Sequence, residues 1–162
     1  MKLHRFVAIA AAFSLAALCA ARSAHAAGAA TPPLDVVVDC HCPDVVGQKF
    51  CAALKDRIGA TKSFHLATAA SGLGMAVHVS SIDMWRGIND QLIDRMSAIS
   101  VAFTIFSDQL PGEIYEDSSV FRVGIDATGE MSGKIVAALS QIETVNAVSL
   151  AQLRAAAKHA AH

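Results

Sequence analysis

Cys40, Cys42 and Cys51, with His41 between the first two, are the residues whose types and spacing come closest to a reactive set. Three thiolates and an imidazole suit zinc or cuprous copper. The spacing C-x-x-C, common to such sites and to thioredoxin-type redox centres, is missing. In an oxidising compartment the same sulfurs pair instead. If the chain doubles back after Pro43, either Cys40 or Cys42 reaches Cys51, whereas a Cys40–Cys42 bond closes a very small, strained ring. The expectation is a structural disulfide, Cys40–Cys51 ahead of Cys42–Cys51, stabilising by up to roughly 3 kcal/mol in the chain-entropy picture. A metal site at Cys40, His41, Cys42 and Cys51 is the alternative.

Other groups carry weaker chemistry. If the strands around the Ala69–Gly74 loop form a hairpin, His65 and His78 face each other on the side opposite Phe64 and Val77. Such a pair holds a metal or senses pH. The plainer expectation is two exposed strand histidines. Glu113 and Asp117 share one face of a strand and Glu116 takes the other, with no nucleophile in register. Charge protecting a sheet edge accounts for them. Ser71-Gly72-Leu73-Gly74 is too short for a phosphate loop, and no G-x-S-x-G elbow is present. Met75, Met84, Met96 and Met131 read as core fillers. Met84, Trp85 and Arg86 have the composition of an interface anchor, and form the candidate partner-binding residues. No catalytic residues and no cofactor are expected.

The amino terminus sets the compartment. Lys2, His4 and Arg5 precede an apolar run from Phe6 to Ala21, and Ala24-His25-Ala26 supplies the small residues of a cleavage site. This pattern predicts a signal peptide over 1–26. The run is shorter than the ~20 residues that span a bilayer, so no stable membrane insertion is expected after cleavage. Cys19 follows Leu18 rather than a small residue, which argues against lipidation. The leader removes Lys2, Arg5 and Arg22, leaving 10 of the 13 Lys and Arg against 14 Asp and Glu, a net charge of −4. With no basic stripe, nucleic acid is excluded as a partner. A periplasmic or secreted protein is expected.

The elements that would position these groups follow from periodicity. Residues 27–33 form a linker and 34–148 one α/β domain. Leu34 to Cys40 is β-branched and reads as a strand. Asp44 caps a helix whose stripe is Val46, Phe50, Ala53, Leu54 and Ile58. Ser63–Thr68 and Met75–Asp83 alternate as strands. Met84 to Ser97 is an elaborated hairpin connection. Ile99, Val101, Phe103 and Ile105 form the core face of the strongest strand. Glu113–Val123 pairs back on it, with a candidate bulge at Asp117-Ser118-Ser119. A second helix from Thr128 carries Met131, Ile135, Ala138, Leu139 and Ile142. Residues 149–162 read as an Ala-rich helical tail. The expected fold is a two-layer α/β (α+β) sandwich, a mixed four- to five-stranded sheet with two main helices on one face.

The unit L-K-D-R-I-G-A-T-K-S-F-H-L, Leu54 to Leu66, is a helix, a small polar turn and a Ser-x-x-Phe strand. Strands A-V-H-V-S-S-I-D and I-S-V-A-F-T-I-F follow, then a helix with G-K-I-V-A-A-L. This order resembles the amino-terminal domain of TolB and the CsgG-like and PelC-like periplasmic domains, over about Leu34 to Ile142. It departs from them where the second and third strands join without a helix. The resemblance implies a role in envelope assembly or secretion through protein–protein contacts, and carries no site residues across. The leading functional expectation is thus a non-enzymatic envelope protein binding another envelope protein, with a homodimer permitted by the odd cysteine. A small metal-binding protein and a secreted enzyme with an unidentified site are the alternatives.

Overall fold

The computed structural model describes residues 32–160; the leader read over 1–26 and most of the linker lie outside them. The chain runs β1 (Leu34–His41), α1 (Val45–Ala60), β2 (Phe64–Ala67), β3 (Leu73–Asp83), β4 (Met96–Ser107), β5 (Ile114–Gly124), α2 (Thr128–Val145) and α3 (Ala147–Ala160). The five strands form one mixed sheet in the order β2-β1-β3-β4-β5. β1 lies parallel to both β2 and β3, and β3, β4 and β5 are antiparallel neighbours.

One face of the sheet holds the core. Val36 and Val38 of β1, Met75, Val77 and Val79 of β3, and Ile99, Val101, Phe103 and Ile105 of β4 come into register on this face and are buried. Phe50, Leu54 and Ile58 of α1 and Ile135 and Leu139 of α2 pack onto them. The alternation of β4 and the three- and four-residue steps of α1 were visible as patterns and are observed as buried faces. The result is the two-layer α/β sandwich, built on five strands.

Three features differ from the expected layout. The β2–β3 hairpin does not form. The Thr68–Gly72 connection leads to a strand on the far side of β1, and β2 pairs with β1 in the register Asp35↔His65. The strongly apolar β1 takes the interior of the sheet and separates the two strands that a short loop seemed to join. The extra residue of the β4–β5 ladder is Glu116, next to the segment expected to bulge, because Phe103 pairs with Asp117 and Thr104 with Tyr115. The stretch read as a tail is helical over its described part. Leu150 is only 2% exposed and belongs to the core, so a third helix joins the same layer.

Asp44 caps α1 by accepting the N–H of Gly47 at 2.8 Å. Met84 donates its N–H to Met96 O across the mouth of the β3–β4 hairpin. The hairpin connection contains one short 3-10 turn, Asp90–Leu92.

Candidate functional site

Strand parity orders the side chains of the sheet. Residues of β1, β3, β4 and β5 that alternate with the core set point to the other face, where no core helix lies among the described residues. Cross-strand register orders this face into rows. Met84 is bonded beside Met96, Ile82 pairs with Ala98 and Ala98 with Arg122, Ser80 pairs with Ser100 and Ser100 with Val120. Farther along, Asp39 pairs with His78 and His78 with Ala102.

The end nearest the β3–β4 connection is apolar and open. Ile82 is 64% exposed and Val120 is 75% exposed. With Ser80, Ala98 and Ser100 they line a shallow cleft of about 200 Å³. The predicted anchor Met84, Trp85 and Arg86 continues from this end. Met84 and Trp85 are half-buried and Arg86 is exposed. Their backbone is held rigidly, because Asp83 Oδ1 accepts the N–H groups of Trp85 at 2.7 Å and Arg86 at 3.1 Å. Asp83 Oδ2 accepts Asp94 N–H at 2.5 Å. These bonds, that from Asp94 foremost, hold the Asp83 carboxyl below its ordinary range. Sequence reasoning missed Ile82 and Val120. The signal was present: Ile82 shares parity with His78, which alternation puts on the face opposite Val77.

The other end of the same face is charged. His78 Nε2 lies 2.8 Å from Glu113 Oε2, and its Nδ1 lies 3.6 Å from Asp39 Oδ2. Thr104 Oγ1 donates to Glu113 Oε2 at 2.5 Å. The hydroxyl of Thr104 and then the imidazole of His78 hold Glu113 below its ordinary range, against its partial burial. On β2, beyond β1, His65 Nδ1 is 2.8 Å from Asp35 Oδ1. The two histidines therefore do not meet. β1 stands between them and offers each its own aspartate, so a shared metal or a His–His pH pair is ruled out as the reason for their placement. Glu113 alone of the three strand carboxylates joins a cluster, while Glu116 accepts from Asn146 Nδ2 at 2.8 Å and Asp117 from its neighbour Ser118 N–H at 2.7 Å.

On the helix side, Cys40 and Cys51 are disulfide-bonded with their Cα atoms 6.5 Å apart, and Cys42 is free. Two of the four donors of the alternative metal site are thus spent in the bond. No cluster of three or more His, Cys, Asp and Glu positioned for a metal occurs among the described residues. Beside the bond, Asp44 is buried. Its Oδ1 accepts Ser97 Oγ at 2.5 Å as well as the Gly47 N–H, and its Oδ2 accepts Ser81 Oγ. Burial pushes this carboxyl up, but the bonds from Ser81, Ser97 and Gly47 outweigh it and hold it below its ordinary range. Every acceptor and donor here is satisfied within the protein, which marks a structural node.

No protein-family model matches the chain, and a search of curated proteins returned no match.

Proposed function

We propose that the protein is an exported, non-enzymatic envelope protein that works by binding another envelope protein, in assembly or secretion. The partner docks on the open face of the sheet, at the end formed by Ile82, Ala98 and Val120 and continued by Met84, Trp85 and Arg86. The observation that carries this reading is the exposure of Ile82 on β3 and Val120 on β5, which flank the small Ala98 and Ser100 of β4 and line one cleft on the sheet face. An apolar patch on an ordered sheet, rimmed by Arg86 and Arg122, has the anatomy of a binding surface. The resemblance to TolB-type and CsgG-like domains points to the same class of role. Export is supported by the leader pattern and by a disulfide of the kind that persists in oxidising compartments. No helix among the described residues is long and apolar enough to cross a membrane.

The test places a photoreactive residue at position 82 or 120 in cells, with position 52 on exposed α1 as the control. One protein should crosslink from 82 and 120 but not from 52. The purified partner should bind the purified domain, and Ile82→Asp should abolish binding while leaving the fold intact. Bulk protein only, or equal labelling from 52, overturns the proposal.

A further inference from the structure

Three cysteines line one cleft. Cys40, Cys42 and Cys51 share a cavity of about 300 Å³ with Gln48, Ala52 and Lys55. Cys40 is the penultimate residue of β1, and Cys42 follows just past its end; both are partly buried against the core. Cys51, on α1, is bonded to Cys40, is 5% exposed and lines the same cavity as Cys42. The free thiol and the disulfide therefore belong to one site.

We propose that this cleft is an internal thiol–disulfide exchange site, in which Cys42 displaces Cys40 from its bond to Cys51. The balance is closed. Cys42 gives its proton to solvent and its thiolate attacks Cys51 Sγ. The Cys42–Cys51 bond forms as the Cys40–Cys51 bond breaks. The electron pair leaves on Cys40 Sγ, which takes a proton from solvent. One disulfide and one thiol are present before and after, so no oxidant or reductant is consumed. Attack on Cys40 is unproductive, because a Cys40–Cys42 bond would close a very small ring. The new loop is only two residues shorter than the old, so closure entropy does not decide between the isomers.

The surroundings set the rate. Burial holds the Cys42 thiol above its ordinary value; Ser81 opposes this by a side-chain hydrogen bond, Asp44 adds to it, and the Lys55 ammonium lowers it. The attacking species is the thiolate. Exchange is therefore slow at neutral pH and accelerates about tenfold per pH unit on the alkaline side until the thiol is ionised. The exchange shifts the tie on α1 from β1 itself to the residue beside Ser81, and leaves a new thiol at Cys40.

The test uses the full oxidised chain. Wild-type protein is incubated at several pH values up to about pH 9, quenched in acid at intervals, alkylated and mapped by mass spectrometry. Alkylated Cys40 together with a Cys42–Cys51 bond should appear, at a rate rising about tenfold per pH unit. Alkylation confined to Cys42 at every pH overturns the proposal. As a second arm, Cys40→Ala should form an internal Cys42–Cys51 bond under the oxidation that pairs the wild type, and two free thiols in a folded Cys40→Ala protein would also overturn it. If that variant fails to fold, the wild-type time course decides.

Discussion

The hydroxyl of Ser97 donates to the carboxylate of Asp44 at 2.5 Å, joining the first turn of α1 to the start of β4 across 53 residues of chain. The same carboxylate holds Ser81 of β3 and the N–H of Gly47. Asp44→Ala leaves two hydroxyls without their acceptor and uncaps a helix. The expected loss is about 2–4 kcal/mol in urea unfolding, with an unchanged slope.

The same carboxylate sets a pH dependence. Its pKa is depressed in the folded state, so its contribution is fully present above the unfolded value and is lost as pH falls through the folded one. Wild-type stability should begin to fall below about pH 4, the ordinary carboxylate value. Asp83 is depressed as well, by the N–H of Asp94 first, and acts in the same window. Asp44→Ala should therefore flatten the acid limb of a stability–pH curve only in part. An acid limb unchanged by the substitution would show that Asp44 is not responsible for it.

Two glycines of α1 should respond to alanine in opposite directions. A Cβ at Gly47 would lie 2.0 Å from Ser81 Oγ and 3.0 Å from Cys42 Cβ, so the helix packs there on bare backbone. Gly47→Ala should cost about 1–3 kcal/mol despite its better helix propensity. At Gly59 a Cβ meets nothing within 4 Å. Gly59→Ala should stabilise by up to about 1 kcal/mol. Thermal melts of the two variants decide both signs.

Leu150 tests whether α3 belongs to the domain. Leu150→Ala removes a side chain 2% exposed and should cost about 2–5 kcal/mol. Val148 on the same helix is 72% exposed, and Val148→Ala should stay within about 0.5 kcal/mol of wild type. Equal, small effects in chemical denaturation would mean that α3 does not contribute to the core.

Glu113 should report the charged end of the open face. Thr104→Val removes the larger of the two bonds that hold its carboxyl low, and His78→Ala the smaller. Both should raise the Glu113 pKa toward its ordinary value, Thr104→Val by more. Carbon NMR titration of the labelled carboxyl reads the order directly, and the reverse order would make the imidazole the dominant partner.

Legibility followed the range of the interaction. Asp44 was readable as a cap because a short side chain three residues before a glycine meets that backbone locally. A bond from the strand end to Cys51 was readable because a strand that turns into a helix brings the two together, but the choice of Cys40 over Cys42 was decided by geometry. The open-face patch was half readable: parity puts Ile82 outward, but Val120, across β4 from it, comes from a strand whose register had to be seen. His65 and His78 were misjudged because alternation is the same in parallel and antiparallel strands, so it names a face and not a neighbour.

The sequence by itself determined the elements, the core face of β4, the stripe of α1 and the capping residue. Each is decided within a few turns of chain by side-chain period and turn chemistry. Only the tertiary structure decided that β1 lies between β2 and β3, that Leu150 brings α3 into the core, and that Asp39, His78, Thr104 and Glu113 meet on one face. These depend on which distant strands bury the most apolar surface against each other once loop closure has been met, a quantity that no local window of residues contains.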